Sequence, residues 1–384
     1  MEKKSRRWAG AFLAALLLAL PLPTTQGAEP EEPQVSAQSA ILISADDGRV
    51  IFEKNAHEQL AMASTTKIMT ALLSLEEAQR AGDPVVDITE EMVRVEGSSM
   101  GLLAGNRLSL TSLAEGMLLA SGNDAANSAA IYLGGSQEGF AELMNARAQE
   151  LGMESSHFVT PSGLDDEAHY STAYDMALLA RAALENPEFA RIAGSANLQV
   201  EFVEPAQKVG YANHNKLLRL YEGCVGVKTG FTKKAGRCLV SAARREGTGL
   251  IAVTLNAPDD WDDHMAMLDY GFATTETLEL DGACPEAVAV VGGERESARV
   301  RAGQGIRLSL TREEARRVTS RVLLPGFLYA PVTEGERVGR VQYLLDGQEI
   351  YSVPILAGED LAVSEPPEPA GWEKFWETVK GWFR

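Results

Sequence analysis

The sequence predicts an α+β fold followed by a smaller all-β unit, and three observations carry that expectation. Apolar runs of strand length stand at both ends of the first 275 residues, helical periodicity fills the stretch between them, and from residue 276 the pattern changes to short alternating runs. Strands at both ends with helices between them imply one sheet closed by terminal segments and covered by helices.

The first strands are Ala40-Ile41-Leu42-Ile43 and Val50-Ile51-Phe52, which flank Asp46-Asp47-Gly48, a turn sequence suited to a hairpin. A helix is expected from Ser64 to about Glu77, because Ile68, Leu72 and Leu75 recur at the spacing of one buried face. Further helical patterns cover 111–120, 124–133, 139–151 and 173–184. Gly226-Val227-Lys228-Thr229 and Cys238-Leu239-Val240-Ser241-Ala242 flank a turn at Thr232 to Gly236, and Leu250 to Leu255 supplies another strand. In the all-β unit, Arg307-Leu308-Ser309-Leu310 alternates, and Val341 to Pro354 reads as a hairpin turning at Asp346-Gly347.

The two ends have a different character. Residues 1–28 combine Lys3, Lys4, Arg6 and Arg7, an apolar run from Trp8 to Leu20, and small residues at Gly27 and Ala28, the order of a secretory signal peptide. A flexible acidic lead-in (29–35) follows. The catalytic-sized unit is expected at 36–275, the all-β unit at 276–363 and a Pro-rich linker at 364–371. In the last segment, 372–384, a helix would gather Trp372, Phe375, Trp376, Val379, Trp382 and Phe383 on one face and all the charges on the other. An aromatic stripe of this kind packs either on the body of a protein or in a membrane interface. The Pro-rich spacer and the terminal position favour the interface, with the chain held at the outer face of the cytoplasmic membrane.

With 384 residues and 45% hydrophobic content, the chain can bury a large core, which excludes a disordered or fibrous protein. A formal net charge of −19 repels phosphate backbones and argues against a nucleic-acid partner. Cys224, Cys238 and Cys284 are odd in number and lack zinc-ligand spacing, and the five histidines are scattered, so neither a metal nor another cofactor is called for.

The candidate chemistry lies in three short motifs. Ser64-Thr65-Thr66-Lys67 places a hydroxyl and an amine three residues apart on one helix face, within about 6 Å at Cβ, which is reach for proton transfer. Alone this spacing is as well explained by a capping serine and a solvated lysine. Lys228-Thr229-Gly230 sits on a strand before a turn. Ser121-Gly122-Asn123 interrupts two apolar helices, where a polar loop can face a cleft, although Ser195-Ala196-Asn197 has the same form.

Taken in order, S-x-x-K, S-x-N and K-T-G resemble the signature of the penicillin-recognising serine enzymes. Within them the chain is most similar to the low-molecular-mass penicillin-binding proteins, the serine-type D-Ala-D-Ala carboxypeptidases. Leu60 to Lys67, His169 to Met176 and Asn213-His214-Asn215-Lys216-Leu217-Leu218 look like family segments. The resemblance implies a transpeptidase-like fold with a C-terminal β domain, peptidoglycan stem peptides as substrate and β-lactams as covalent inhibitors.

It also implies roles. Ser64 would be the nucleophile, Lys67 its base, and Ser121 a proton relay to the leaving amine. Asn123 would hold a substrate carbonyl, Lys228 and Thr229 would face the terminal carboxylate, and Gly230 would admit the substrate backbone. The backbone N–H groups of Ser64 and Phe231 would form the oxyanion hole. Some relatives carry arginine where this chain has His214. Three other readings stand beside this one: a DD-endopeptidase using the same residues, a class A-like β-lactamase, which would need an E-x-x-L-N motif absent here, and an inactive wall-binding scaffold.

Overall fold

The computed structural model describes residues 30–365 and 371–382. The expected signal peptide, part of the linker and Phe383 lie outside the described residues.

A five-stranded antiparallel sheet organises the first unit, in the order Val50–Lys54, Ser39–Ser44, Thr248–Leu255, Gly236–Arg245, Cys224–Thr232. Its N-terminal strand pairs with a strand more than two hundred residues later, Ile41 opposite Val253, so the ends of the unit close the sheet. Both faces are covered, which explains why these strands read as continuous apolar runs. Ile41, Ile43, Val240, Ile251 and Val253 pack into the helical layer, while Leu42, Leu239, Leu250 and Ala252 meet Met267 and Leu268 of the helix Asp260–Thr274 on the opposite face. A slip of one residue in register would exchange the two sets.

The helical layer is built around Lys67–Ala81, whose Ile68, Met69, Leu72 and Leu75 are buried and which ends at Gly82 in the left-handed conformation, φ 77°. Around it stand Leu110–Leu119, Asn123–Gly134, Gln137–Glu150 and Ala173–Glu185, close to the expected spans. Side-chain caps set three of the starts: Ser109 accepts from Ser112 N, Ser136 from Gly139 N, and Thr172 from Asp175 N. The helix expected from Ser64 differs at its beginning. Ala63–Thr66 is a 3-10 turn, and the α-helix begins at Lys67.

The second unit holds a six-stranded sheet, ordered Val318–Leu323, Arg337–Leu345, Gln348–Ala357, Ser297–Ala302, Ala287–Val291, Phe327–Tyr329, and a two-stranded ribbon of Thr275–Leu280 with Ile306–Thr311. The hairpin turn at Asp346-Gly347 has φ of 52° and 82°, as a two-residue turn with both central residues left-handed requires. One short helix, Arg312–Arg317, interrupts the strands behind a capping box made by Thr311 and Glu314. The ribbon strand begins at Thr275, directly after the helix Asp260–Thr274. The Asp46–Gly48 turn of the first unit docks on the ribbon: Ser309 N donates to Asp47 Oδ2 at 2.7 Å, Ser44 Oγ to Ser309 Oγ at 2.8 Å, and Arg49 pairs with Glu314 at 2.8 Å.

The last helix runs from Gly371, a residue expected in the linker, to Trp382, and none of its residues is buried. Trp372, Phe375, Trp376 and Trp382 are all exposed, so the aromatic face does not pack on the body of the protein. Among the described residues no helix is long and apolar enough to cross a membrane.

Candidate active site

Ser64 is half-buried on its 3-10 turn, and Ala63 before it takes the left-handed conformation, φ 48°. The tighter winding of a 3-10 turn brings residues three apart into line. Lys67 Nζ accordingly donates to Ser64 Oγ at 2.9 Å, and a second N–H goes to the Ser162 carbonyl at 2.8 Å. Lys67 is fully buried. Burial holds its amine well below the ordinary lysine value, the charge of Lys228 lowers it further, and Asp124 opposes both.

Lys228 stands on the sheet's edge strand and is also buried. Burial alone brings it down to about 7. Its Nζ donates to Ser121 Oγ at 3.2 Å and to the Thr229 carbonyl at 2.8 Å. Two buried amines this close disfavour being charged together, so the charge on Lys228 helps keep the Lys67 amine below its ordinary value.

Ser121 has φ 56°, in the sharp link between Leu110–Leu119 and Asn123–Gly134. That link is held by Asp124, which is 2% exposed and accepts from the N–H groups of Met100, Gly101, Leu102 and Ala125 and from Ser99 Oγ. Asn123 Nδ2 donates to the Glu96 carbonyl at 2.6 Å, while its Oδ1 is buried with no hydrogen-bond partner among the described residues.

Gly230 faces the Ser64 turn. A Cβ there would lie 3.0 Å from Ser64 N and 3.1 Å from Met62 O and Thr65 N. A side chain at this position would press on the nucleophile's turn, and Gly230 itself lines the groove. The competing Ser195 triplet is placed elsewhere: Ser195 is half-buried, its Oγ donates to Arg191 O at 2.7 Å, and it does not line the groove that holds Ser64.

Ser64, Ser121, Thr229, Gly230 and Phe231 line one groove, a cavity of about 330 Å³ that extends toward His214 and Arg237. Lys67, Lys228 and Asn123 do not line it and lie beneath its surface. His214 is set on the rim by its neighbours, because Asn213 Oδ1 accepts from Asn215 N and Asn215 Oδ1 from Leu217 N. Burial and the Lys228 charge lower the His214 pKa. Arg237 pairs with Asp260 at 2.6 Å and lies over the Trp261 ring. The sequence reading missed Ser162, Asp124 and Arg237. The first acts through a backbone carbonyl and leaves no side-chain signal, and the other two gain meaning only from partners far along the chain.

A hydroxyl bonded to a buried amine of lowered basicity, beside a second hydroxyl bonded to another buried amine, can give up and recover a proton during acyl transfer. Comparison with known proteins places the chain in a family. Residues 26–259 match the model of the D-alanyl-D-alanine carboxypeptidase family, and residues 272–362 match that of the penicillin-binding protein 5 C-terminal domain. The chain is 32% identical to D-alanyl-D-alanine carboxypeptidase DacF of Bacillus subtilis, over 85% of this chain and 86% of the relative. It is 33% identical to DacC of Escherichia coli, over 94% of each. Among solved structures, penicillin-binding protein 5 from Haemophilus influenzae superimposes with a TM-score of 0.70 at 28% identity, over 86% of this chain and 99% of that one. The Streptomyces K15 DD-transpeptidase gives 0.60 at 30% identity, over 63% of this chain and 99% of its own. The chain belongs to the D-alanyl-D-alanine carboxypeptidase family of penicillin-binding proteins.

Proposed function

We propose that this chain removes the terminal D-alanine from peptidoglycan stem pentapeptides through an acyl-enzyme on Ser64. The observation that carries the reading is the 2.9 Å bond from the buried Lys67 amine to Ser64 Oγ. In the division of labour we propose, residues 36–275 perform the chemistry and residues 276–363 form the accessory β unit.

Ser64 Oγ bonds to the carbonyl carbon of the penultimate residue while Lys67 takes its proton. The N–H groups of Ser64 and Phe231 hold the oxyanion, each worth about 3 kcal/mol where such donors have been removed from other enzymes. As the C–N bond breaks, the proton passes through Ser121 to the departing amine. Asn123 orients the peptide, and Thr229, with the charge of Lys228 behind it, receives the terminal carboxylate. Water then attacks the ester, and Ser64 recovers its proton through Lys67. A β-lactam acylates Ser64 in the same way, but its leaving amine stays tethered and the ester persists.

Incubation with stem pentapeptide and with cross-linked dimers tests this reading directly. Free D-alanine and tetrapeptide from the pentapeptide are the expected products. Cleavage of cross-links alone would contradict it and favour the endopeptidase reading.

We further propose that the protein works on the outer face of the cytoplasmic membrane, held there by the helix from Gly371 to Trp382, whose exposed aromatic face supports an interfacial position. Truncation after Pro369 is expected to release the mature protein from sedimenting vesicles. Equal retention of truncated and full-length forms would refute the anchor.

A further inference from the structure

His169 is 3% exposed, takes no part in the mechanism above, and yet is joined to the nucleophile's turn. Its Nδ1 accepts from Val159 N at 2.9 Å and Thr160 N at 3.3 Å, so that nitrogen carries no proton and the proton sits on Nε2. Burial lowers the imidazole pKa to about 4, in keeping with a neutral ring. Nε2–H then donates to Thr66 Oγ1 at 2.8 Å, and the Thr66 hydroxyl, fully buried, donates in turn to the Ala63 carbonyl at 2.8 Å.

That carbonyl belongs to the peptide unit whose N–H is Ser64 N. In a trans peptide the C=O and N–H point in opposite directions, so fixing one aims the other. The N–H side faces the edge strand, since a Cβ on Gly230 would stand 3.0 Å from Ser64 N. The carbonyl side is closed by Gly163, where a Cβ would fall 1.9 Å from Ala63 O and 2.7 Å from Thr66 Oγ1. Ala63 holds a left-handed φ of 48°, a conformation an alanine keeps only when its surroundings enforce it.

We infer that His169 and Thr66 form a buried hydrogen-bond relay that aims the Ala63–Ser64 peptide, and with it the Ser64 N–H, at the oxyanion. Both are positioning residues: neither lines the groove. The relay runs from the 159–169 segment, which also supplies the Ser162 carbonyl to Lys67 and the Pro161 carbonyl to Thr70 Oγ1 at 2.6 Å. One segment thereby positions both the base and the oxyanion donor. A hydrogen bond also strengthens when its acceptor is itself a donor to a further group, so the relay polarises the peptide it holds.

This inference rests on the Ser64 acyl-enzyme reading, and the experiment separates the two. In the full mature chain, acylation by a fluorescent penicillin is resolved into the noncovalent dissociation constant and the first-order acylation rate. Thr66→Val keeps the side chain's shape and removes the hydroxyl. It is expected to slow acylation and deacylation by about 30- to 100-fold, the scale of a small misplacement at a reacting centre, with the dissociation constant changed less than about threefold. Thr66→Ser restores the hydroxyl and is expected to recover the rate to within about threefold. The doubly substituted His169→Leu, Thr66→Val chain is expected to be no slower than Thr66→Val alone, as members of one unit behave.

A folded Thr66→Val protein that acylates within about threefold of the parent, or a Thr66→Ser protein as slow as Thr66→Val, overturns the relay. If Thr66→Val does not fold, the comparison moves to His169. There His169→Gln, which keeps a donor within reach of Thr66, must acylate at least tenfold faster than His169→Leu, and equal rates overturn the relay. Labelling that survives Ser64→Ala would instead bring down the nucleophile reading, whatever the relay variants do.

Discussion

Ser64→Ala is expected to lower the acylation rate by about six orders of magnitude, the scale on which removing a nucleophile acts in serine hydrolases. It should abolish D-alanine release and penicillin labelling together, because both pass through the same ester. The neighbouring hydroxyl offers no substitute: Ser121 Oγ is bonded to the Lys228 amine at 3.2 Å, while the Lys67 amine is committed to Ser64 Oγ and the Ser162 carbonyl. A hydroxyl with no base of its own to take its proton is a poor nucleophile. The substitution removes a half-buried oxygen and opens no cavity, so the melting temperature should stay within a few degrees of the parent. Residual D-alanine release above about one part in a thousand would show that the chemistry runs elsewhere.

Lys67→Met has the second largest expected effect, about a thousandfold loss in acylation rate, the contribution of a positioned general base. Methionine retains most of the side chain's length and removes the buried amine, so a stability loss is not expected to explain the result. The pH dependence carries the sign. In the proposed mechanism Lys67 works as a neutral amine, so the acylation rate should rise with pH through its depressed pKa and level off above it. Lys228→Gln deletes the positive charge that lowers Lys67. The Lys67 pKa should then rise, moving the acid limb of the rate profile to higher pH. An unmoved acid limb in Lys228→Gln, together with near-normal acylation by Lys67→Met, would assign the base to another group.

Much of the site's outline was legible because it rests on local spacing. Ser64 and Lys67 are three residues apart, the Ser121 link interrupts two helical patterns, and Lys228-Thr229-Gly230 precedes a hairpin turn, so short-range rules bring each to a definable place. The Asp46-Asp47-Gly48 turn and the Asp346-Gly347 hairpin were legible for the same reason. The 3-10 turn at Ala63–Thr66 was not, because the apolar spacing of Ile68, Leu72 and Leu75 says nothing about how the chain winds before Lys67.

Long-range partners were equally out of reach. Asp124 is one acid among 54 Asp and Glu residues until the fold brings the Met100–Leu102 amides to it. His169 lies in a segment that resembles the family's, but only the structure shows that it reaches Thr66 across about a hundred residues of chain. The Asn197–Phe202 and Gln207–Ala212 hairpin was passed over although Leu198, Val200 and Phe202 alternate, because its second strand is largely exposed and carries too few apolar residues to announce itself. The Arg312–Arg317 helix was passed over as well, although Thr311 and Glu314 stand at capping-box spacing inside a run of strands.

The central claim is that one hydroxyl, relieved of its proton by the amine of Lys67, carries the acyl group. Mass spectrometry of the intact protein after brief exposure to penicillin, followed by proteolysis, tests it most directly. The account predicts a gain equal to the mass of the penicillin, located on the peptide that contains Ser64. An adduct on the peptide that contains Ser121, or an unmodified protein that nevertheless releases D-alanine, would contradict it.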